Sequence, residues 1–261
     1  MANKLISFDL KAKMGFLKKP DINDGIYLTY NMLHKPALLG ILGAISGFGG
    51  YKENSKWPEY FDKLKHLKIG IEPLNSEKGN YQKTTIGYNN TTGFANDDGN
   101  LQITEQVLIE PSFRCYLLLN TENADEQLLH ERIKNQNAEF LPYLGKNDFS
   151  AWWEKDSVRE YTSNIFNYSR NFSIKTIFRK EFAVTNYIAK ILSRSDRERL
   201  SNQFLYFERL PVGFNEQLYQ YELDDFVFSN AIFEKEMNFD NKAHFYEIGK
   251  ENEVESIIQL F

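Results

Sequence analysis

Apolar residues recur every three or four positions across residues 35–50. Leu38, Ile41, Leu42, Ile45 and Phe48 fall on one side when the chain is wound at 100° per residue, the stripe of an amphipathic helix. Gly40, Gly43, Ala44 and Gly47 fall on the other side. An interior glycine costs a helix about 1 kcal/mol relative to alanine, so three on one face imply that something approaches this backbone closely. Pro36 suits the first helical turn, where its missing N–H is no loss. His34 and Lys35 flank the free N–H groups there, which predicts an anion site at the helix start.

Elsewhere the period changes to two. Residues 4–14 predict a strand with Ile6, Phe8, Leu10, Ala12 and Met14 toward the core, and with Leu5, Ser7, Asp9, Lys11 and Lys13 on the opposite face. Residues 66–74 predict a second strand, ending near Pro73. Residues 75–103 are dominated by Asn, Gly, Thr and Asp, with turn signals at Gly79-Asn80, Asn89-Asn90 and Asp98-Gly99. They predict an exposed hairpin or a long flexible arm. Residues 105–119 predict a long strand interrupted at Pro111, and 122–136 a helix capped by Thr121 or Asn123 with Leu128, Leu129 and Ile133 inward. A loop segment with Trp152-Trp153 follows over 140–160. Strands are then expected at 172–179, 203–210 and 217–229, a helix near 182–192, and an acidic segment at the end. The order strand–helix–strand–arm–strand–helix–strand resembles a split βαβ, ferredoxin-like pattern. The expected class is α+β, with the boundary between halves near 140–155.

Composition sharpens this only in places. Of the 261 residues 42% are hydrophobic, enough for a sizeable core, and a single cysteine, Cys115, precludes an internal disulfide. The longest apolar run, 37–48, is too short to span a bilayer, and no signal peptide is visible, so a soluble cytoplasmic protein without membrane contact is expected. The net charge of −5 opposes a simple nucleic-acid binder, yet residues 216–261 hold eleven acids and three bases, leaving the remainder positive. Lys4, Lys11, Lys13, Lys18 and Lys19 crowd the first 20 positions against Asp9.

Catalytic signatures are sparse. There is no phosphate-loop, nucleophile-elbow, zinc-protease or paired-cysteine motif, and His34, His66, His130 and His244 lack zinc-ligand spacing. Neither catalytic residues, nor a metal, nor a cofactor is expected. Three segments stand out: Lys11 to Lys35 leading into the glycine-faced helix, Leu141 to Phe149, and Glu208 to Phe214. Each has an ordinary reading, as solvated lysines, a β-turn, and a strand end with its turn.

Together these segments resemble one family. The strand, the basic loop ending at Pro20, Thr29-Tyr30 and the run from Pro36 to Gly47 look like the N-terminal signature of the Cas-five family, a RAMP-superfamily subunit of the CRISPR Cascade complex. Pro142-Tyr143-Leu144-Gly145-Lys146 is similar to the family's mid-chain loop, and Leu210-Pro211-Val212-Gly213 after Glu208-Arg209 to its type I-B branch. The resemblance covers essentially the whole chain.

It implies an RRM-like, ferredoxin-like palm over residues 1–145 with a β-hairpin thumb inserted at about 75–103, and a smaller β-rich region over 146–261 packed on the palm. It implies a non-catalytic subunit that binds the 5′ handle of CRISPR RNA and caps the backbone filament in antiviral defence. Its partners would be CRISPR RNA, the Cascade backbone and large subunits, and target DNA in the assembled complex. Single-stranded RNA is gripped by phosphate contacts and by stacking on aromatic faces. The candidate contacts are Lys11, Lys13, Lys18, Lys19, Tyr30, His34, Lys35, Gly40, Gly43, Gly47 and Lys146, with Tyr81, Lys83 and Tyr88 from the arm; Arg170, Arg179, Arg194 and Arg197 could serve RNA, the core or an interface. The type I-C branch supplies the alternative, a metal-independent endoribonuclease, for which Tyr30, His34 and Lys35, or Lys65-His66, would have to provide acid, base and cation.

Overall fold

A computed structural model describes residues 3–20, 25–53, 56–90, 101–180, 203–235, 244–249 and 256–261. In chain order the elements are β1 (Asn3–Ala12), β2 (Met14–Gly15), β3 (Ile26–Tyr27), α1 (Lys35–Ser46), α2 (Glu59–Leu64), β4 (Lys68–Leu74), β5 (Lys83–Asn90), β6 (Leu101–Ile109) and β7 (Ser112–Asn120). There follow α3 (Ala124–Asn135), β8 (Ala151–Trp152), β9 (Arg159–Ile165), β10 (Phe178–Arg179), β11 (Leu205–Asn215), β12 (Gln220–Ser229), β13 (His244–Gly249) and β14 (Ser256–Leu260). The class is α+β, with strands predominating.

The main sheet has the order β14-β13-β9-β1-β7-β4, every neighbouring pair antiparallel, with β8 also pairing β1. Within it, β1-α1-β4 and β7-α3-β9 interleave so that β1 and β7 are central. Both helices cover one face. Leu38, Leu42 and Ile45 of α1 and Leu129 and Ile133 of α3 pack onto Ile6, Phe8, Phe113, Cys115 and Leu117 in one apolar cluster. Burying side chains of this size contributes roughly 1.5–3 kcal/mol each, so the 3.6-residue stripe sets where α1 sits.

The other face differs from the sequence expectation. Leu5 and Ser7 on β1 are as buried as Ile6 and Phe8, and Asp9 is nearly so. The sheet curls until its ends almost meet: Ile69 of β4 exchanges backbone hydrogen bonds of 3.1 and 2.9 Å with Phe261, just past β14. Leu5, Tyr116, Tyr246, Ile248, Ile258 and Leu260 fill the enclosed side. Polar groups there are paired: Arg114 bonds Asp9 at 2.7 and 3.0 Å, Tyr116 donates to Glu72 at 2.7 Å, and Ser7 meets Tyr161 at 3.0 Å. The expected acidic terminal segment therefore includes two strands of the main sheet, and that sheet runs across the expected boundary at 145/146.

The long strand expected at 105–119 is two strands. The chain turns at Glu110 (φ 46°), which frees β6 to pair with β5 over eight residues, while β7 joins β1 and β4. Residues 83–90 and 101–109 thus form a hairpin inserted between β4 and β7, tied down by β2 and β3. The tip, 91–100, lies outside the described residues, as does the helix expected near 182–192. In place of a strand over 172–179 the chain makes single bridges at Phe172 and Ile174 and then the short β10. β11 and β12 form a hairpin whose Leu210 and Phe226 enter the main core beside α1. Among the described residues no helix is long and apolar enough to cross a membrane.

Candidate nucleic-acid interface

α1 begins as its sequence suggests, with Pro36 in the first turn and His34 as cap; the ring Nδ1 accepts from the Ala37 N–H at 3.3 Å. Gly47 ends the helix at φ 82°, returning its N–H to the Gly43 carbonyl. The helix start is not an open anion site. His34 is 4% exposed, edge-on to Tyr30 and Tyr221, and burial holds its imidazole down to about pKa 3, so it stays neutral at physiological pH. Lys35 donates to the Phe261 carbonyl at 3.0 Å; burial, then the nearby charges of Arg179 and Lys68, lower its pKa to about 8.

The glycine face does admit a close neighbour, and it is a tyrosine of the same chain. A methyl group at Gly43 would lie 2.4 Å from Tyr60 Cβ, so α2 could not pack where it does against any larger residue. Gly40 is roomier, with Tyr60 Cζ 3.9 Å from a virtual Cβ. Pro36, Ala37, Gly40, Ile41 and Ala44 form the floor of an open cleft of about 760 Å³. Tyr51 and Tyr60 stand on one side, and Phe214 and Tyr221 come from the β11–β12 hairpin. Phe140, Leu141, Tyr143 and Lys146 come from the loop after α3, and Lys18 from the loop after β2.

That wall is rigid. Gly145 sits at φ 87° with its backbone against the chain at Phe16; an added Cβ would meet the Phe16 carbonyl oxygen at 1.8 Å. Only glycine allows this approach. Phe16 N–H donates to the Leu144 carbonyl at 3.0 Å, and Leu144 N–H to Phe149 at 2.8 Å. Lys146 is held by Glu105 at 2.8 Å and lies 4.0 Å from the centroid of the Tyr88 ring, joining the loop to the hairpin. Lys18 stands 3.8 Å over Tyr27. Tyr51, Phe140, Leu141 and Tyr143 are 62, 55, 71 and 43% exposed, an apolar rim available to a flat ligand.

The predicted contacts divide. Lys18, Lys146, Gly40 and the largely buried His34 line this cleft, and Tyr88 adjoins it through Lys146. Tyr30 and Tyr81 are core residues, the Tyr81 hydroxyl donating to the Leu74 and Ser112 carbonyls. Gly43 and Gly47 are covered by Tyr60 and Glu139. Lys19 turns to Glu208 at 3.6 Å, and Lys83 to Asn31 at 2.8 Å. Lys11 and Lys13 line a different groove. Lys65 and His66 pair with Glu216 and Glu126, while Arg170 and Arg179 pair with Glu247 and Asp224. Arg194 and Arg197 lie outside the described residues. The lysine cluster of the first 20 residues is thus a cluster in sequence only. The residues that sequence reading missed include Phe140 and the tyrosines at 51, 60 and 221; the signal for the tyrosines was the bare helix face, which has room for aromatic partners. Among the described residues, no group of three or more His, Cys, Asp and Glu side chains could hold a metal ion.

No protein-family model matches the chain, and no curated protein sequence matches it. Solved structures do resemble it. A chain of a CRISPR RNA-guided surveillance complex is 12% identical with a TM-score of 0.46, over 90% of this chain and 95% of that one. A CRISPR protein from Archaeoglobus fulgidus is 14% identical at a TM-score of 0.45, over 98% of both chains. A chain of the Type III-B Cmr-beta complex bound to cognate target RNA is 9% identical at 0.46, over 98% of this chain and 99% of that one.

Proposed function

We propose that this protein is a CRISPR-associated subunit of the Cas-five kind, closest to the type I-B branch, which holds the single-stranded 5′ handle of CRISPR RNA in a Cascade complex. One observation carries the reading. Two of the segments on which the sequence resemblance rests lie about a hundred residues apart, yet both line one cleft: Pro36, Ala37, Gly40, Ile41 and Ala44 on its floor and Leu141, Tyr143, Gly145 and Lys146 on one wall, while Phe214, the residue that follows the third segment, stands on another. Aromatic faces with cationic side chains beside them suit bases that stack and phosphates that need neutralising. The interleaved strand order of the main sheet supports a ferredoxin-like palm, and the insertion of the β5–β6 hairpin between β4 and β7 supports reading it as the thumb. On this reading the subunit caps the backbone filament, contacts the backbone and large subunits, and meets target DNA only within the assembly.

The same reading assigns no catalysis. A repeat-cutting nuclease would draw its acid and base from His34 and Tyr30, which are buried, His34 neutral with its Nδ1 occupied, or from Lys65 and His66, which pair with Glu216 and Glu126. The test is fluorescence anisotropy with a single-stranded octanucleotide, followed by incubation with labelled repeat RNA in EDTA. Salt-sensitive binding without cleavage is expected, because each neutralised phosphate releases counterions. Specific cleavage that disappears in His34→Ala would establish the nuclease instead, and absence of binding at low salt would defeat the RNA assignment.

A further inference from the structure

A second groove, of about 580 Å³, opens where β1 ends against β8 and the turn at 75–80. Lys11 and Trp152 are register partners on the antiparallel β1–β8 pair, so their side chains leave the same face of the sheet a few ångströms apart. Trp152 is 36% exposed, whereas Trp153 is buried against Phe8 and donates to the Ile133 carbonyl. The Lys11 ammonium has no hydrogen-bond or ion-pair partner among the described residues, unlike Lys13, which pairs with Glu110 at 3.0 Å. Opposite them the turn carries Asn75 and Glu77, and Ser112 lies in the floor with a buried hydroxyl that bonds nothing among the described residues. The turn is fixed. Asn75 and Gly79 take positive φ, Glu77 and Asn80 pair through their backbones, and the Tyr81 hydroxyl ties Leu74 to Ser112 underneath.

An indole face, an uncommitted cation and a rigid wall with a carboxylate and a carboxamide form a recognisable set. The volume is that of a small-molecule site. Of the groove's charged lining Lys13 and Glu110 pair with each other, which leaves the Lys11 ammonium for an anionic group and the Glu77 carboxylate, away from it, for hydrogen-bond donors. Guanine offers two such donors, N1–H and N2–H₂, on one edge, whereas adenine presents only its single N6 amino group there.

We infer that this groove binds a guanine nucleotide, its base stacked on Trp152, its phosphate on Lys11 and its donor edge toward Glu77. The inference depends on the RNA reading only for where the nucleotide comes from, a strand or the free pool; the groove's chemistry is its own. The test uses the full chain, with guanosine and adenosine 5′-monophosphates and a G-containing single-stranded tetranucleotide as probes, read by tryptophan fluorescence and calorimetry. Saturable binding of the guanine nucleotide is expected, weakened about tenfold or more in Trp152→Ala through lost stacking. Lys11→Ala should weaken it severalfold, and Glu77→Gln should abolish the preference over adenine. In Lys18→Ala/Lys146→Ala, tighter binding of the tetranucleotide than of the mononucleotide points to a strand, and equal binding of the two to a free nucleotide. Wild-type affinity in both Trp152→Ala and Lys11→Ala, or no preference for guanine, would overturn the assignment. Trp152 is on the surface, so an unchanged melting temperature of its variant shows that the fold is intact. Lys18→Ala/Lys146→Ala should leave guanine binding unaltered, which separates failure here from failure of the cleft.

Discussion

The two grooves are built in opposite ways. The cleft over α1 is made from the core outward: a glycine-faced helix, a tyrosine packed against it, and a loop locked by Gly145 against Phe16. The groove at Lys11 is made from strand ends and a turn, and its walls are polar. In the first, geometry is coupled to stability; in the second, side chains can be removed with little effect on the fold. Lysine count therefore says little about where a strand would bind. What separates the two is how the aromatic surface is held.

Breaking the rigid wall should give the largest effect. Gly145→Ala places a methyl group on the Phe16 carbonyl at a positive φ, and should cost about 3 kcal/mol or more in urea denaturation, with loss of RNA binding. Gly43→Ala, against Tyr60 Cβ, should cost roughly 2 kcal/mol as α2 is pushed away. His34→Asn probes the floor differently. The unfolded chain binds a proton at the ordinary histidine pKa of 6.5, and the folded chain refuses it until about 3. The unfolded state thus holds more protons in this window, and stability falls as pH drops through it, by roughly 2 kcal/mol at pH 5. Asparagine keeps a cap acceptor and should flatten that slope in a pH series of denaturant melts. Gly40→Ala is the smallest and most diagnostic change. With nothing closer than 3.9 Å it should stabilise α1 by up to about 1 kcal/mol while lifting the cleft floor, so thermal stability rises as RNA affinity falls. Parallel changes in both would show that the cleft floor does not contact the ligand.

Much of the scaffold was legible in the sequence because it is local. The period of 3.6 marks α1, and Asn123, whose side chain accepts from the Asp125 and Glu126 N–H groups, marks the start of α3. Turn chemistry and polarity mark the β5–β6 hairpin. What could not be read is what long-range pairing decides. Alternation on β1 puts Ser7 and Asp9 outward, and nothing nearby in sequence signals that strands past residue 240 will enclose them. The basic cluster misleads for the same reason. Lys11 and Lys13 leave a strand end, whereas Lys18 and Lys19 lie beyond β2, where Lys19 is drawn to Glu208, almost two hundred positions away. The bare face of α1 did announce a close neighbour, and that neighbour is Tyr60. The cleft beside it is what remains for a ligand.

Ultraviolet cross-linking of the full chain to a single-stranded octanucleotide, with the linked peptides mapped by mass spectrometry, tests the location of binding directly. Cross-links concentrated on Tyr51, Phe140 and Tyr143 at the cleft rim, and reduced in Lys18→Ala/Lys146→Ala, are the predicted result. Cross-links confined to surfaces away from that rim would contradict the account.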